Sequence, residues 1–121
     1  MSIKKRFMIV NHRPPHGTLH AWESLDLTLT AAAFEQEVSV VFLDDGVYQL
    51  LARQDTGQIE IKNFASAFRA FRDHDIHNVY VEAEALSRRG LSTDDLLIDV
   101  DLVDTNTLCR LMTEQDIILH F

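Results

Sequence analysis

The chain reads as an α/β protein: a mostly parallel sheet of about five strands with helices on both faces, folded as a single domain over residues 1–121. Two observations carry this. Apolar stretches of strand length alternate about five times with stretches of helical spacing, which is the pattern of strands joined by helical crossovers. The run from Val38 to Leu43 is also too short and too rich in β-branched residues for a helix, so it reads as a strand buried on both faces.

The elements follow in order. Phe7–Val10 is the first strand, ended by Arg13-Pro14-Pro15, because two prolines remove backbone donors. Gly17-Thr18 opens a long helix to about Gln36, with Thr18 as its cap. Trp22, Leu25, Leu29 and Ala32 form one stripe at helical spacing, while Leu27, Ala31 and Phe34 fall outside it. That second apolar surface predicts burial on more than one side, and so a partner subunit. The second strand breaks at Asp44-Asp45-Gly46, read as a solvated turn capped by the glycine. Val47, Tyr48, Leu50 and Leu51 then resume the apolar pattern as an exposed contact surface.

A polar loop spans Arg53 to Lys62, and Asn63 caps a short helix whose apolar face is Phe64, Ala67, Phe68 and Phe71. Asn78–Val81 is the third strand. Glu84 to Arg89 is a helical turn stopped by Gly90, whose missing Cβ suits a left-handed cap. A further turn begins at Ser92, and Leu96–Val103 contains the fourth strand. Asp104 or Thr105 caps a helix carrying Leu108, Leu111 and Met112, and Ile117–Leu119 is the last strand.

Composition narrows the function. Apolar content of 46% and charged content of 25% are ordinary for a soluble globular chain. A net charge of −8 repels phosphate backbones, so direct nucleic-acid binding is not expected. The single cysteine, Cys109, excludes an intrachain disulfide and suits a reducing compartment. No stretch reaches the roughly 20 apolar residues that span a bilayer, and the short apolar run after Lys4-Lys5-Arg6 is no signal peptide. The expected location is cytoplasmic.

Catalytic and ligand-binding patterns are sparse. His12, His16 and His20 are spaced four apart, but Pro14-Pro15 forbids the continuous helix that would align them, and no metal is expected. His16 is read instead as packing or hydrogen bonding in the loop after the first strand. Asp44 and Asp45 lack the other acids and the late lysine of a phospho-receiver pocket. Pro15-His16-Gly17-Thr18 is no phosphate-binding loop, having one glycine and no Gly-Lys-Ser/Thr. Despite a flavodoxin-like alternation of elements, no nucleotide, flavin or other cofactor is expected. Cys109, between Leu108 and Arg110 in an amphipathic helix, is read as a buried structural cysteine.

Four segments in order carry a resemblance. They are Pro15-His16-Gly17-Thr18, Asp45-Gly46-Val47-Tyr48-Gln49-Leu50, Ala85-Leu86-Ser87-Arg88-Arg89-Gly90-Leu91, and Asp116 to the closing Phe121. Together they resemble the DsrE/DsrF family of sulfur-relay subunits, most closely its TusC and DsrF branch. The resemblance implies a three-layer α/β/α sandwich. It also implies that the relay cysteine of the active subunit, which carries sulfur as a persulfide near the end of the third strand, corresponds here to Glu82. A carboxylate cannot hold a persulfide, so the resemblance implies a non-catalytic subunit without activity alone. Its implied partners are a TusD-like cysteine-bearing subunit and a TusB-like subunit, in a heterohexamer with two copies of each. The implied task is to pass sulfur toward 2-thiouridine at the tRNA wobble position, a pathway preferred because the DsrF-like branch runs longer before its last helix. Dissimilatory sulfur oxidation is the alternative. Other readings are a stand-alone ligand-binding protein or small enzyme using a crevice near Asp45 and Glu82, and a homo-oligomeric binding module. The interface candidates are His16, Asp45, Gly46, Val47, Tyr48 and Leu50.

Overall fold

The computed structural model describes residues 4–14, 20–51 and 68–121, with the backbone alone at His20 and Ala21. His16, the Thr18 cap, the Arg53–Lys62 loop and the Asn63 cap lie outside the described residues. Five strands are present among those described: β1 (Arg6–Asn11), β2 (Glu37–Phe42), β3 (Asn78–Glu82), β4 (Asp101–Val103) and β5 (Ile117–His120). They form one sheet in the order β4-β3-β2-β1-β5, and each neighbouring pair is parallel. Val40 lies opposite both Ile9 and Val79, and Val81 lies opposite Phe42 and Leu102.

The helices divide between the two faces. α1 (His20–Ala33), a helical stretch over 68–73 (α2) and α3 (Ala83–Arg88) cover one face. There Leu25, Ala31, Phe68, Phe71, Ala85 and Leu86 pack on Ile9, Val38, Val40, Phe42, Val79 and Val81. α4 (Thr105–Thr113) covers the other, seating Leu108 on Met8, Val10 and Val41. Right-handed crossovers require this split, because β1 to β4 step one way along the sheet while β5 returns to the far side of β1. The three-layer α/β/α architecture follows.

Two elements differ from the sequence expectation. α1 ends at Ala33 instead of Gln36, because Glu35 takes a left-handed backbone at φ 61°. Its fully buried face is Ser24, Leu25, Thr28 and Ala31, while Trp22, Leu27, Leu29 and Ala32 are only partly buried. Thr28 can sit there because its hydroxyl donates to the Ser24 carbonyl at 2.7 Å and needs no outside partner. Phe34, past the helix end, is 73% exposed.

The second difference is the stretch after β2. Asp44–Leu50 winds as a 3₁₀ helix, and its three residues per turn bring Val47 and Leu50 onto one edge. Both are completely buried in the chain's own core, so they do not form the exposed contact surface expected of them. Nor does Gly46 cap this turn by its backbone freedom: the residue with positive φ is Asp44, at 48°. Gly46 is buried against β1, and a Cβ there would lie 2.0 Å from the Asn11 carbonyl oxygen.

Candidate functional site

In a parallel sheet the loops at the carboxyl ends of the strands border the place where ligands and partners meet the fold. Here that edge gathers Asn11 at the end of β1 and His12 after it, Asp44 to Leu50 after β2, Glu82 at the end of β3, Asp104 after β4, and His120 of β5.

The ends of β1 and β2 interlock. The Asn11 carbonyl accepts from Leu43 N–H at 3.0 Å, and Gly46 lies directly against it. Gln49, 2% exposed, donates from Nε2 to the Arg13 carbonyl at 2.9 Å. With Gly46, Val47, Gln49 and Leu50 all buried, the side chains this segment turns outward are exposed Asp44 and Asp45 and half-buried Tyr48.

Glu82 caps the start of α3 by position, in extended backbone, and makes no side-chain cap bond. Its Oε2 accepts from the Thr105 hydroxyl at 3.4 Å, linking the end of β3 to the first turn of α4. α3 is closed by a Schellman motif: Leu91 N–H donates to the Leu86 carbonyl, Gly90 N–H to that of Ser87, and Gly90 takes φ 66°.

Arg89 is the C-cap residue of that motif, and its guanidinium ties the edge together. Nε and Nη2 donate to Asp45 Oδ1 at 3.2 and 2.9 Å, and Nη1 donates to the Ala85 carbonyl at 3.1 Å. Its Cζ also lies 5.8 Å from the centre of the Tyr48 ring, within cation–π range. The Arg89 side chain is 19% exposed and that of Asp45 55%, so the ion pair itself contributes at most about 1 kcal/mol. Its importance is geometric: it joins the segment after β2 to the helix after β3. Sequence reasoning missed Arg89. Gly90 identified the end of the helix, but the path of the side chain depends on a segment some forty residues earlier.

Asp104 caps α4, accepting from the Thr107 backbone N–H at 2.7 Å. That hydrogen bond, with help from the Thr107 side chain and Arg110, holds its carboxyl below the ordinary value. On the α4 face, burial followed by the charges of Asp101, Glu114 and Glu37 raises the Tyr80 phenol above its ordinary value. His12 and His120 have ring centres 6.3 Å apart. Among the described residues, no three His, Cys, Asp or Glu side chains are grouped to hold a metal ion, and no helix is long and apolar enough to cross a membrane.

Cys109 is exposed, contrary to the sequence expectation. α4 directs Leu108 into the core, and the next residue points about 100° away from it, out of the buried stripe. The i, i+4 relation instead places Cys109 one turn along from Thr105.

Comparison with known proteins gives a consistent result. The model of the DsrE/DsrF-like family matches residues 5–121. Intracellular sulfur oxidation protein DsrF of Allochromatium vinosum is 40% identical over 133 residues, covering 98% of both chains. A protein TusC homolog of Vibrio vulnificus is 44% identical over 107 residues, covering 88% of this chain and 91% of that one. Among solved structures, the ychN protein of E. coli superposes with a TM-score of 0.80 at 21% identity, over 98% of this chain and 100% of that one. MTH1491 of Methanobacterium thermoautotrophicum, a protein of unknown function, superposes at 0.73 with 15% identity, again over 98% and 100%. These two likenesses concern the fold alone.

Proposed function

The chain belongs to the DsrE/DsrF-like family, and from that premise we propose that it is a non-catalytic subunit of a heteromeric sulfur-relay complex. The observation that carries the reading is the side chain at the end of β3. Where relays of this kind carry a persulfide on a thiolate, this strand ends in Glu82. A carboxylate is neither the nucleophile nor the carrier that persulfide transfer needs. The chain's single thiol, Cys109, lies on α4 instead.

The partners are a TusD-like cysteine-bearing subunit and a TusB-like subunit, with two copies of each chain in the assembly. This chain contributes the carboxyl edge of its sheet, where Asp45 and Tyr48 reach the surface, and meets the reactive loop of the cysteine-bearing subunit there. Holding such a loop in one arrangement and partly excluding water from it supports transfer without a reactive group of its own.

The sulfur goes toward 2-thiouridine at the tRNA wobble position. Supporting this branch, the DsrF alignment runs over 133 residues against a chain of 121, so that relative has insertions which this chain lacks. The alignment with the Vibrio vulnificus TusC homolog spans 107 residues and 88% of the chain, which leaves it close to gapless. Dissimilatory sulfur oxidation is the second reading, favoured by the fuller coverage of the DsrF relative.

Native mass spectrometry of the chain co-expressed with its genomic neighbours tests the assembly. A stable complex with a cysteine-bearing homologue is expected, with the label from radioactive persulfide sulfur residing on that homologue. A lone monomer, or label on this chain, overturns the proposal. Loss of thiolated tRNA in cells lacking the chain separates the two pathways.

A further inference from the structure

We propose that Arg89 is a positioning residue for this edge: it sets the arrangement in which Asp45 and Tyr48 are offered to a partner, and sets it relative to Glu82. The inference rests on the sulfur-relay reading for the identity of the partner, and on geometry alone for the positioning.

The sequence Ser87-Arg88-Arg89-Gly90-Leu91 closes α3 with a Schellman motif, and half-buried Leu91 packs on the core. Arg89 therefore leaves the helix from a fixed point, six residues after α3 starts at Ala83 beside Glu82. Its guanidinium then has three directions of contact. Nη1 returns to the Ala85 carbonyl on its own helix, while Nε and Nη2 converge on Asp45 Oδ1. The group also lies 5.8 Å from the Tyr48 ring centre. A planar fork makes these contacts at once, whereas the single ammonium of lysine cannot.

The neighbouring arginine is the contrast. Arg88 pairs with Glu84 of the same helix at 2.6 Å and is 72% exposed, against 19% for Arg89. One arginine decorates the surface, while the other bridges two elements. What it bridges is specific. Val47 and Leu50 fix the inner edge of the 3₁₀ segment, and Arg89 engages two of the residues on its outer side.

Two measurements on the Arg89→Lys and Arg88→Lys chains test this. Hydrogen exchange of the isolated full chain reads the hold on residues 44–50, and titration with the cysteine-bearing homologue reads assembly. Arg89→Lys is expected to speed exchange in 44–50 with β2 and β3 unchanged, and to weaken assembly about tenfold. Arg88→Lys is expected to do neither. Unchanged exchange in Arg89→Lys overturns the positioning role. So does faster exchange with undiminished affinity, which makes the contact merely structural. Lost affinity with unchanged exchange makes Arg89 a direct contact and also overturns it. A wild-type chain that binds no cysteine-bearing homologue removes the sulfur-relay reading instead, and the exchange arm then decides the hold of Arg89 on the segment by itself.

Discussion

Gly46 and the Asn11 carbonyl are packed so closely that a Cβ on Gly46 would lie 2.0 Å from the oxygen. The same carbonyl accepts the Leu43 N–H, so the ends of β1 and β2 have no slack between them. Gly90 is a glycine for a different reason. A Cβ there meets nothing within 4 Å, but its φ of 66° is one that other residues adopt at a cost. Gly46→Ala should therefore destabilise the fold by about 3 kcal/mol, through backbone that must move apart. Gly90→Ala should cost about 1 kcal/mol, through conformation alone. Chemical denaturation of the two variants checks both the order and the gap.

The exposure of Cys109 predicts its reactivity. A maleimide should modify it in the folded chain, at a rate that does not change with denaturant below the unfolding transition. A thiol reached only through unfolding would show a rate that climbs with denaturant. Within the assembled complex, alkylated Cys109 should leave sulfur transfer intact. Loss of transfer with assembly preserved would give this thiol the role assigned to the partner.

Asp104 predicts a pH dependence. Its carboxyl is held below the ordinary value by the Thr107 N–H, so the folded state favours the ionised form. The stabilisation is present above the unfolded carboxylate pKa and is lost as pH falls through the lower, folded value. Asp104→Ala should lower the melting temperature at pH 7, and the gap from wild type should close in acid below the usual carboxylate range. Asp104→Asn should lose less at neutral pH, because asparagine also caps. A gap that persists unchanged in acid would assign the effect to something other than the charged cap.

Tyr48 predicts an effect on assembly without an effect on folding, and Phe34 predicts no effect on folding. Tyr48 is half-buried and Phe34 is 73% exposed at the end of α1. Phe34→Ser should leave unfolding free energy within about 0.5 kcal/mol of wild type, as for other exposed sites. Tyr48→Glu should likewise fold, while failing to co-purify with the cysteine-bearing subunit. Normal recovery of the complex with Tyr48→Glu would remove this edge from the interface.

Much of the fold was legible in the chain. The β-branched run from Val38 identified a strand buried on both faces, and the residues Val38 to Phe42 are all buried. Gly90 marked the end of α3, the pair Asp104 and Thr105 the start of α4, where the structure makes Asp104 the cap, and the alternation of elements gave the parallel sheet. These are local signals, set by backbone conformation and by periodicity within a few residues. The candidate site was less legible. Tyr48 and Asp45 were read as surface residues, and both reach it, but Val47 and Leu50 were grouped with them and are buried. Their burial depends on the 3₁₀ pitch, which no apolar pattern of that length distinguishes from an extended surface. The exposure of Cys109 was misjudged because α4 is buried along a narrow stripe, and a residue one step off it faces water.

By itself, the sequence determined the five strands and their alternation with helices, where several of these elements stop, and that a carboxylate, Glu82, follows the apolar run of the third strand. Tertiary structure alone decided that Gly46 must be glycine, that Val47 and Leu50 turn inward, and that Arg89 joins Asp45 and Tyr48 to the helix after Glu82. The physical reason is range. Propensity, capping and periodicity act between residues a few positions apart, whereas close approach and bridging contacts join residues 35 or 44 positions apart that only the closed sheet brings together.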